Sequence, residues 1–194
     1  MTTLAWAAPT RRAMRWRPMA AVTTGIGAAV LALWAAGAPP IAAVPPVAMV
    51  VALLVASAAL ALDDPAHALV AAVPIGFGRR VAHRVAWLVP ATFAGLVSVG
   101  WVASRADMVS KPGRILPTAA ALGAIAVATH ILVARRRPDV AASVAAVVPV
   151  GWVVLGSSPS GIATVETLSR LWLDHPWTVC ASASTLAVIA ARRS

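Results

Sequence analysis

Acidic side chains are scarce in this sequence, which has only six aspartate and glutamate residues among its 194. Only 11% of the residues are charged, whereas soluble domains carry about 25%. This scarcity of charge excludes a sizeable soluble domain beside the apolar segments. The single cysteine, Cys180, excludes a disulfide within the chain, and we expect it to pack as a small apolar residue. The composition, with 60% hydrophobic residues, therefore indicates an integral membrane protein of one domain.

The apolar runs contain no carboxylate and only one histidine, His130. Charge inside a membrane is costly and usually kept for function, so an ion-driven transporter is expected to carry an intramembrane carboxylate. His130 lies near Arg135 and the predicted interface, which favours a hydrogen-bonded packing role over a proton relay.

Motifs for metal binding, nucleophilic catalysis and nucleotide binding are missing as well. His67 and His83 share a loop, but no His-x-x-x-His or Cys-x-x-Cys pattern supports a metal site. The sequence has neither Gly-x-Ser-x-Gly nor a Gly-x-x-x-x-Gly-Lys-Ser/Thr phosphate loop. We therefore expect no catalytic residues, no metal site and no directly bound cofactor in this chain.

Six apolar runs follow one another along the chain. A helix of about 20 residues crosses the hydrocarbon layer of a bilayer, which is about 30 Å thick. The last run is the shortest and needs completion by neighbouring helical residues or by local bilayer thinning. Pro149, inside the fifth run, predicts a kink. The predicted fold is an all-α, polytopic membrane protein with an N-terminal segment, 1–18, and a transmembrane domain, 19–194. Its six transmembrane helices are placed at 19–37, 41–62, 85–104, 116–134, 140–156 and 177–191.

Basic residues are divided unequally between the two sides of this topology. One side has residues 1–18, 63–84, 135–139 and 192–194, with four, three, three and two of the sixteen basic residues. The other side has the remaining four. Because cytoplasmic loops are enriched in Arg and Lys, the first side is predicted to be cytoplasmic, with both termini there. Nucleic acid is not a predicted partner, because no soluble basic face with stacking aromatics exists.

The N-terminal segment carries a cluster of arginines next to a tryptophan. Three of the arginines share one helical face, which predicts a short interfacial helix that binds anionic lipids. A frayed arm that only supplies positive charge is the alternative, and the sequence leaves both open. The lipid-interface residues are Arg11, Arg12, Arg15, Trp16 and Arg17.

A second amphipathic stretch lies on the opposite, outer side, at 157–176. Ser158 and Pro159 are typical of a helix start, and apolar residues then recur near the helical period. We expect a helix at this membrane surface, either lying on it or dipping into the protein.

The segment 63–84, between the second and third runs, has the most informative charge pattern. Asp64 followed by Pro65 is typical of a helix start, because aspartate accepts bonds from free amides and proline fits the first turn. Pro74 would end this helix at about Val73. Two glycines then turn the chain towards a group of arginines. We interpret the segment as a short cytoplasmic helix available to a partner, the alternative being a connecting loop whose arginines only set the topology.

The predicted spans are rich in alanine, glycine and serine. Such faces let helices approach closely, as along Gly95 and Gly123. We therefore expect packing against other helices, including those of a second membrane subunit, rather than a self-contained bundle.

Taken together, this layout resembles the membrane (permease) subunits of ABC-2-type exporters, in the small form found in actinobacteria. The run Ala61-Leu62-Asp63-Asp64-Pro65-Ala66, with Pro74 and the arginines behind it, carries the resemblance at the level of sequence. In that family an interfacial helix precedes six spans, a coupling helix between spans two and three docks on a separate ATPase, and re-entrant helices lie outside. The resemblance implies a multi-pass subunit of the bacterial plasma membrane that couples ATP hydrolysis, with ATP and Mg on the partner ATPase, to export.

The resemblance also implies residue roles and partners. The two aspartates would cap and orient the coupling helix, and the arginines would hold the loop to phosphates or acidic groups on the cytoplasmic ATPase. A second membrane subunit, identical or different, would complete the pathway, which moves mechanically between two states. The implied ATPase-coupling residues are Asp63, Asp64, Pro65, His67, Leu69, Val70, Val73, Phe77, Arg79, Arg80 and Arg84.

Two other interpretations fit parts of the sequence. A non-transporting structural or assembly subunit of a larger membrane complex would share the helices and the basic loops, without needing a nucleotide-driven partner. A membrane enzyme acting on lipid or polyprenyl substrates would call for clustered acidic, histidine or metal-binding residues, and the sequence has no convincing cluster. The cargo of an exporter is not indicated.

Overall fold

The computed structural model describes residues 16–35, 47–63, 77–105, 115–157, 167 and 175–192. Within these residues the regular structure is entirely α-helical, with no β-strand, which confirms the predicted all-α class. The six helices are α1 (Arg17–Ala35), α2 (Val47–Leu60), α3 (Phe77–Arg105), α4 (Ile115–Ala134), α5 (Ala141–Ser157) and α6 (Pro176–Arg192). Each helix contains most of one apolar run. Where apolar surroundings exclude water, the backbone has to satisfy its own hydrogen bonds, and a helix does this within one segment.

Two helices among the described residues are long and apolar enough to cross a membrane. They are Gly78–Trp101 within α3 and Ile115–Ala134, which is α4. The apolar helices Ala48–Leu60 and Ala141–Leu155 are shorter. At 1.5 Å per residue, the 17 residues of α6 extend about 26 Å, slightly less than the ~30 Å hydrocarbon layer.

Helix α2 lies at the centre of the bundle and packs against α1, α3, α4 and α5. Its sequence is apolar on every side, a pattern typical of a buried helix. Val51 and Leu54 are almost completely buried there. The buried hydroxyl of Ser57 in this helix donates a 2.7 Å hydrogen bond to the carbonyl oxygen of Leu54, so burying it costs little.

Small residues are completely buried in three of the helices. Ala52, Ala121 and Ala145, from α2, α4 and α5, have no exposed surface. A Cβ atom added to Gly95 would lie 3.6 Å from the Leu54 side chain, an ordinary van der Waals contact, so α2 and α3 pack against each other there. Gly123 makes no such contact within the described part of this chain, because a Cβ atom there would meet nothing within 4 Å. Small residues thus allow close packing at some positions and leave open space at others.

The helices alternate in direction, so that one end of the bundle collects the starts of α1 and α3 and the ends of α2, α4 and α6. Met19 of α1 packs with Leu62 and with Leu88 of α3 at this end. Val81 of α3 packs with Ile131 of α4, in a cluster that also contains the end of α6. The turn at 135–140 then starts α5 from the same end. We call it the basic end, because it holds eight of the nine arginines among the described residues: Arg17, Arg79, Arg80, Arg84, Arg135, Arg136, Arg137 and Arg192.

Helix α3 begins earlier than the sequence predicts. It starts at Phe77 rather than at residue 85, so that Gly78 and the three following arginines lie in its first turns and not in a loop. The prediction was wrong because the apolar run stops at a charge, whereas arginine is itself a good helix former. The predicted coupling helix, 65–73, lies outside the described residues, as do most of the predicted outer helix, 157–176, and Arg11, Arg12 and Arg15.

Candidate functional site at the basic end

Arg84 is the only buried arginine in the part of the chain that the structure describes, with 7% of its surface exposed. Its Nη1 atom donates hydrogen bonds to the carbonyl oxygens of Leu62, at 3.0 Å, and Asp63, at 2.6 Å. Carbonyl groups that follow a helix end have no partner within the helix, and a guanidinium can satisfy two of them. Arg84 therefore fixes the chain that leaves α2 against the second turn of α3.

This placement differs from the role that the sequence suggests for Arg84. The side chain was expected to reach phosphates or acidic groups on a partner protein, but it is buried and bound to its own chain. Asp63, from the same predicted set, is half-buried and supplies one of the two carbonyl oxygens. The structure thus brings these two residues together across 21 positions of sequence, through a contact that no local pattern reveals.

A second arginine makes the same kind of contact at this end. Arg135 follows the end of α4 and donates from Nη2 to the carbonyl oxygen of Ala190, in the last turn of α6. Beside it, a Cβ atom added to Gly78 would lie 3.0 Å from Cβ of Ala191, so α3 and α6 are in close contact. Cations near helix C-termini are favoured by the helix dipole. Arg84 therefore joins α3 to the end of α2, and Arg135 joins the end of α4 to the end of α6. Both guanidinium groups lie at helix C-termini, where the helix dipole favours a positive charge.

The remaining described residues of the predicted sets lie at the surface of the basic end. Arg79 is exposed and Arg80 half-buried, both in the first turn of α3, which Phe77 begins. Trp16 is half-buried against the cluster of Leu62 and Leu88, and Arg17 is the exposed first residue of α1. Asp64, Pro65, His67, Leu69, Val70 and Val73 lie outside the described residues.

An exposed ion pair lies in the turn between α4 and α5. Arg137 and Asp139 approach to 3.1 Å, and the hydrogen bond from Arg137 lowers the pKa of Asp139 and raises its own. Because the pKa of Asp139 is depressed in the folded chain, any stability from the pair is present above the unfolded pKa. It is lost as the pH falls through the folded value. Both side chains are well exposed, so the pair contributes little.

An apolar groove of about 280 Å³ opens between α2, α3 and α4. Small residues of α2 and α4, among them Ala58, Ala119 and Gly123, face larger side chains of α3 and leave this volume between the helices. The sequence analysis did not predict the groove. Its one available signal is the spacing of the α3 lining, which follows a single helical face: Val85, Leu88, Val89, Thr92, Phe93 and Leu96.

Within the described residues, no group of three or more His, Cys, Asp and Glu side chains is placed to hold a metal ion. His130 is buried in α4, about one turn before the helix ends. Comparison with protein-family models, curated proteins and solved structures finds no match for this chain. The fold and the arrangement of charge at the basic end are therefore the basis for a functional proposal.

Proposed function

We propose that this chain is a six-span protein of the bacterial plasma membrane, with its basic end in the cytoplasm. The observation that carries this proposal is that the six helices alternate in direction while eight of the nine described arginines lie at one end. Alternating helices are what consecutive membrane crossings require. A concentration of arginine at one end follows the rule for cytoplasmic loops.

The exposed surface supports a membrane environment. Large apolar side chains on α3 are half or more exposed, among them Val89 at 58%, Phe93 at 50% and Val97 at 54%. Soluble monomers rarely expose contiguous patches of this kind, whereas lipid covers them at no cost. Tryptophans also lie towards both ends of the bundle, with Trp16 at the basic end and Trp177 at the start of α6. Such aromatic belts are typical of the two membrane interfaces.

Within the membrane, we propose that the chain serves as the transmembrane subunit of an ABC-type exporter. The segment between α2 and α3 starts and ends at the basic end, and Arg84 ties its first residues to α3. A cytoplasmic ATPase that moves this segment would therefore move α3. That helix is loosely packed beside the groove and contains Pro90, which removes one hydrogen bond of its backbone ladder. We assign Arg84 to this internal contact between α2 and α3. The other ATPase-coupling residues that the resemblance implies are assigned to docking on the ATPase.

The alternative is a non-transporting structural or assembly subunit of a larger membrane complex. The exposed apolar faces of α3 and α6 favour it, because neighbouring subunits would cover them as well as lipid does. The two functions differ in whether a nucleotide-driven partner is bound.

The orientation is tested by labelling single cysteines in a Cys180→Ser background. Arg136 lies exposed at the basic end, and His175 lies exposed at the opposite end, before α6. We expect a membrane-impermeant maleimide to label His175→Cys on intact cells, and to label Arg136→Cys only after the membrane is opened. Both variants should stay in the membrane fraction at alkaline pH. Labelling of Arg136→Cys from outside would contradict the proposed orientation.

The exporter function is tested by purifying the chain with its neighbours. An ATPase with a phosphate-binding loop should co-purify with the wild-type chain, and the combined change Asp64→Ala with Pro65→Ala should release it without preventing membrane insertion. Arg136→Ala, an exposed change at the same end, is the control and should keep the ATPase. Retention of the ATPase by the double variant would overturn the coupling role. Absence of any ATPase from the wild-type preparation would favour the structural subunit.

A further inference from the structure

We propose that the groove between α2, α3 and α4 binds one uncharged lipid ester, whose carbonyl oxygen accepts a hydrogen bond from Thr92. This inference rests on the proposed function, and it names the class of cargo that the exporter would take from the membrane. The site lies within the hydrocarbon layer, so its ligand is held along its chain and not by a charged headgroup.

The groove extends along most of the bundle and belongs to neither end alone. It starts near Leu62 at the basic end and reaches Leu116 at the start of α4, which lies at the opposite end. Its lining on α3 runs from Val85 to Leu96. This length of helix extends about 16 Å, which is about half of the ~30 Å hydrocarbon layer. A ligand that fills the groove therefore lies inside the membrane and not at one of its surfaces.

The lining selects against a charged or zwitterionic ligand. Of the described residues that line the groove, none is charged and Thr92 alone has a polar side chain. A charged group inside the hydrocarbon layer is costly unless it is paired. A phosphate or an ammonium group would therefore find no partner along this surface, whereas an uncharged lipid would make apolar contacts along its whole length.

The hydroxyl of Thr92 is available as a donor. The hydroxyls of Thr23, Ser98 and Thr185 each donate to the carbonyl oxygen four residues earlier in their own helix. Thr92 makes no such bond, and its hydroxyl has no hydrogen-bond partner within the part of the chain that the structure describes. A hydroxyl that is left unpaired in apolar surroundings carries a desolvation cost. An acceptor on a ligand at this depth would remove that cost.

An ester carbonyl matches this donor. Its oxygen accepts a hydrogen bond and brings no donor of its own. An alcohol would bring a second O–H group, and Thr92 and the alcohol together would leave one of their two hydrogens unpaired. Thr92 also lies between the two ends of the α3 lining, Val85 and Leu96. The carbonyl therefore needs hydrocarbon on both sides, which an ester of two short chains supplies.

The volume of the groove fits a single chain. A dry cavity of about 150 Å³ lined by apolar side chains holds one benzene molecule. The groove offers about 280 Å³, which by the same ratio corresponds to roughly eleven carbon atoms. A helix with its side chains is about 10–12 Å wide, so a 16 Å length of it fills more than about 1,000 Å³. The groove is therefore too small for a helix of a partner protein.

The groove is open towards the surroundings of the bundle. Val89, Phe93 and Leu116 line it, and each is about half exposed. In a bilayer this opening faces lipid tails, so an uncharged ligand can enter sideways from the hydrocarbon layer. Thr92 lies on α3, the helix that Arg84 connects to the cytoplasmic segment. A movement of α3 would therefore displace Thr92 and the carbonyl bound to it.

Two glycines allow a matched test of the site. A Cβ atom added to Gly123, in the groove, or to Gly151, on α5 and outside the groove lining, would meet nothing within 4 Å. Each full-length variant is placed in nanodiscs of ether-linked phospholipid, which contain no ester, with a diazirine analogue of pentyl hexanoate. After illumination we expect cross-links on α3 and α4 in the wild type and in Gly151→Leu. Gly123→Leu should lose them, because its side chain fills the groove.

The hydrogen bond is tested by Thr92→Val, which keeps the shape of the side chain and removes the hydroxyl. On the wild type, pentyl hexanoate should compete for cross-linking more strongly than dodecane, which has the same chain length without a carbonyl. Thr92→Val should lower this preference about fivefold, the effect of one neutral hydrogen bond. The control is Thr185→Val, whose hydroxyl is exposed and bonded to Ala181, and it should keep the wild-type preference. Circular dichroism and gel filtration confirm that each variant is folded.

Several outcomes would overturn the inference while leaving the membrane topology intact. Equal cross-linking of Gly123→Leu and Gly151→Leu, or cross-links on helices away from the groove, would exclude the groove as the site. Equal competition by dodecane, or an unchanged preference in Thr92→Val, would exclude the carbonyl contact. A wild-type preparation that binds the ester but no ATPase would remove the role as cargo and keep the site. Failure of the chain to insert would instead overturn the proposed function.

Discussion

Replacing Arg84 with alanine is expected to lower the free energy of unfolding by about 3–5 kcal/mol. The change removes a buried guanidinium and leaves the carbonyl oxygens of Leu62 and Asp63 without the donor that satisfies them. Bonds from charged donors contribute more than neutral ones, and an abandoned buried acceptor carries its full desolvation penalty. Reversible unfolding in mixed micelles, followed by tryptophan fluorescence, measures the change.

The control for this prediction is Arg136→Ala, because Arg136 is exposed in the turn at the same end. It should change the free energy of unfolding by less than about 0.5 kcal/mol. Arg84→Lys should fall between the two, since a point charge does not reproduce the planar fork that meets both oxygens. An Arg84→Ala variant as stable as Arg136→Ala would show that the tie between α2 and α3 is unimportant.

Truncation of Leu122 to alanine is expected to cost about 2–5 kcal/mol. Leu122 has no exposed surface and packs in the central cluster with Val51 and Leu54 of α2. The cavity left behind has nothing to fill it, because the neighbouring contacts are already close. In the proposed membrane bundle, packing depends on such contacts, since lipid provides no hydrophobic drive towards helix association.

Leu132, ten residues further along α4, is the matched control. Its side chain is 48% exposed, so in a bilayer it faces lipid or a neighbouring subunit. Leu132→Ala should therefore cost less than about 1 kcal/mol in the same unfolding measurement. If both leucine variants lose equal stability, then the central cluster is not what holds α4 in the bundle.

The two predictions address different parts of the proposed mechanism. Leu122 belongs to the tightly packed centre of α2, α4 and α5, whereas Arg84 joins the more loosely packed α3 to that centre. A movement driven from the cytoplasm would use this difference, with α3 moving beside a rigid core. An Arg84→Lys variant that inserts normally but uncouples ATP hydrolysis from transport would support this division.

The helices themselves were largely predictable from local pattern. Helix α4 begins at Ile115 and ends at Ala134, one residue from its predicted start, because an uninterrupted apolar run ends at three consecutive arginines. The start of α3 was not predictable in the same way. Three of its first eight residues are arginines, and hydropathy alone places the start of the helix after the last of them rather than at the first helical turn of the backbone.

The candidate site was predictable only in composition. The sequence shows that arginines follow Gly78, but Arg79, Arg80 and Arg84 look alike in a list of charges. Their different surroundings depend on where the end of α2 lies, which is 21 and 22 residues away in sequence for the two carbonyls that Arg84 binds. The groove depends in the same way on side chains from three helices.

The amino-acid sequence by itself determined that the chain is helical, where most helices lie and which segments of the chain carry the positive charge. Those properties follow from hydropathy and charge, which act over a few neighbouring residues. Only the tertiary structure decided that Arg84 is buried against α2, that Gly123 faces open space and that a groove separates α3 from its neighbours. Such features depend on the sizes of the side chains and on the angles at which helices distant in sequence meet. No short stretch of sequence contains that information.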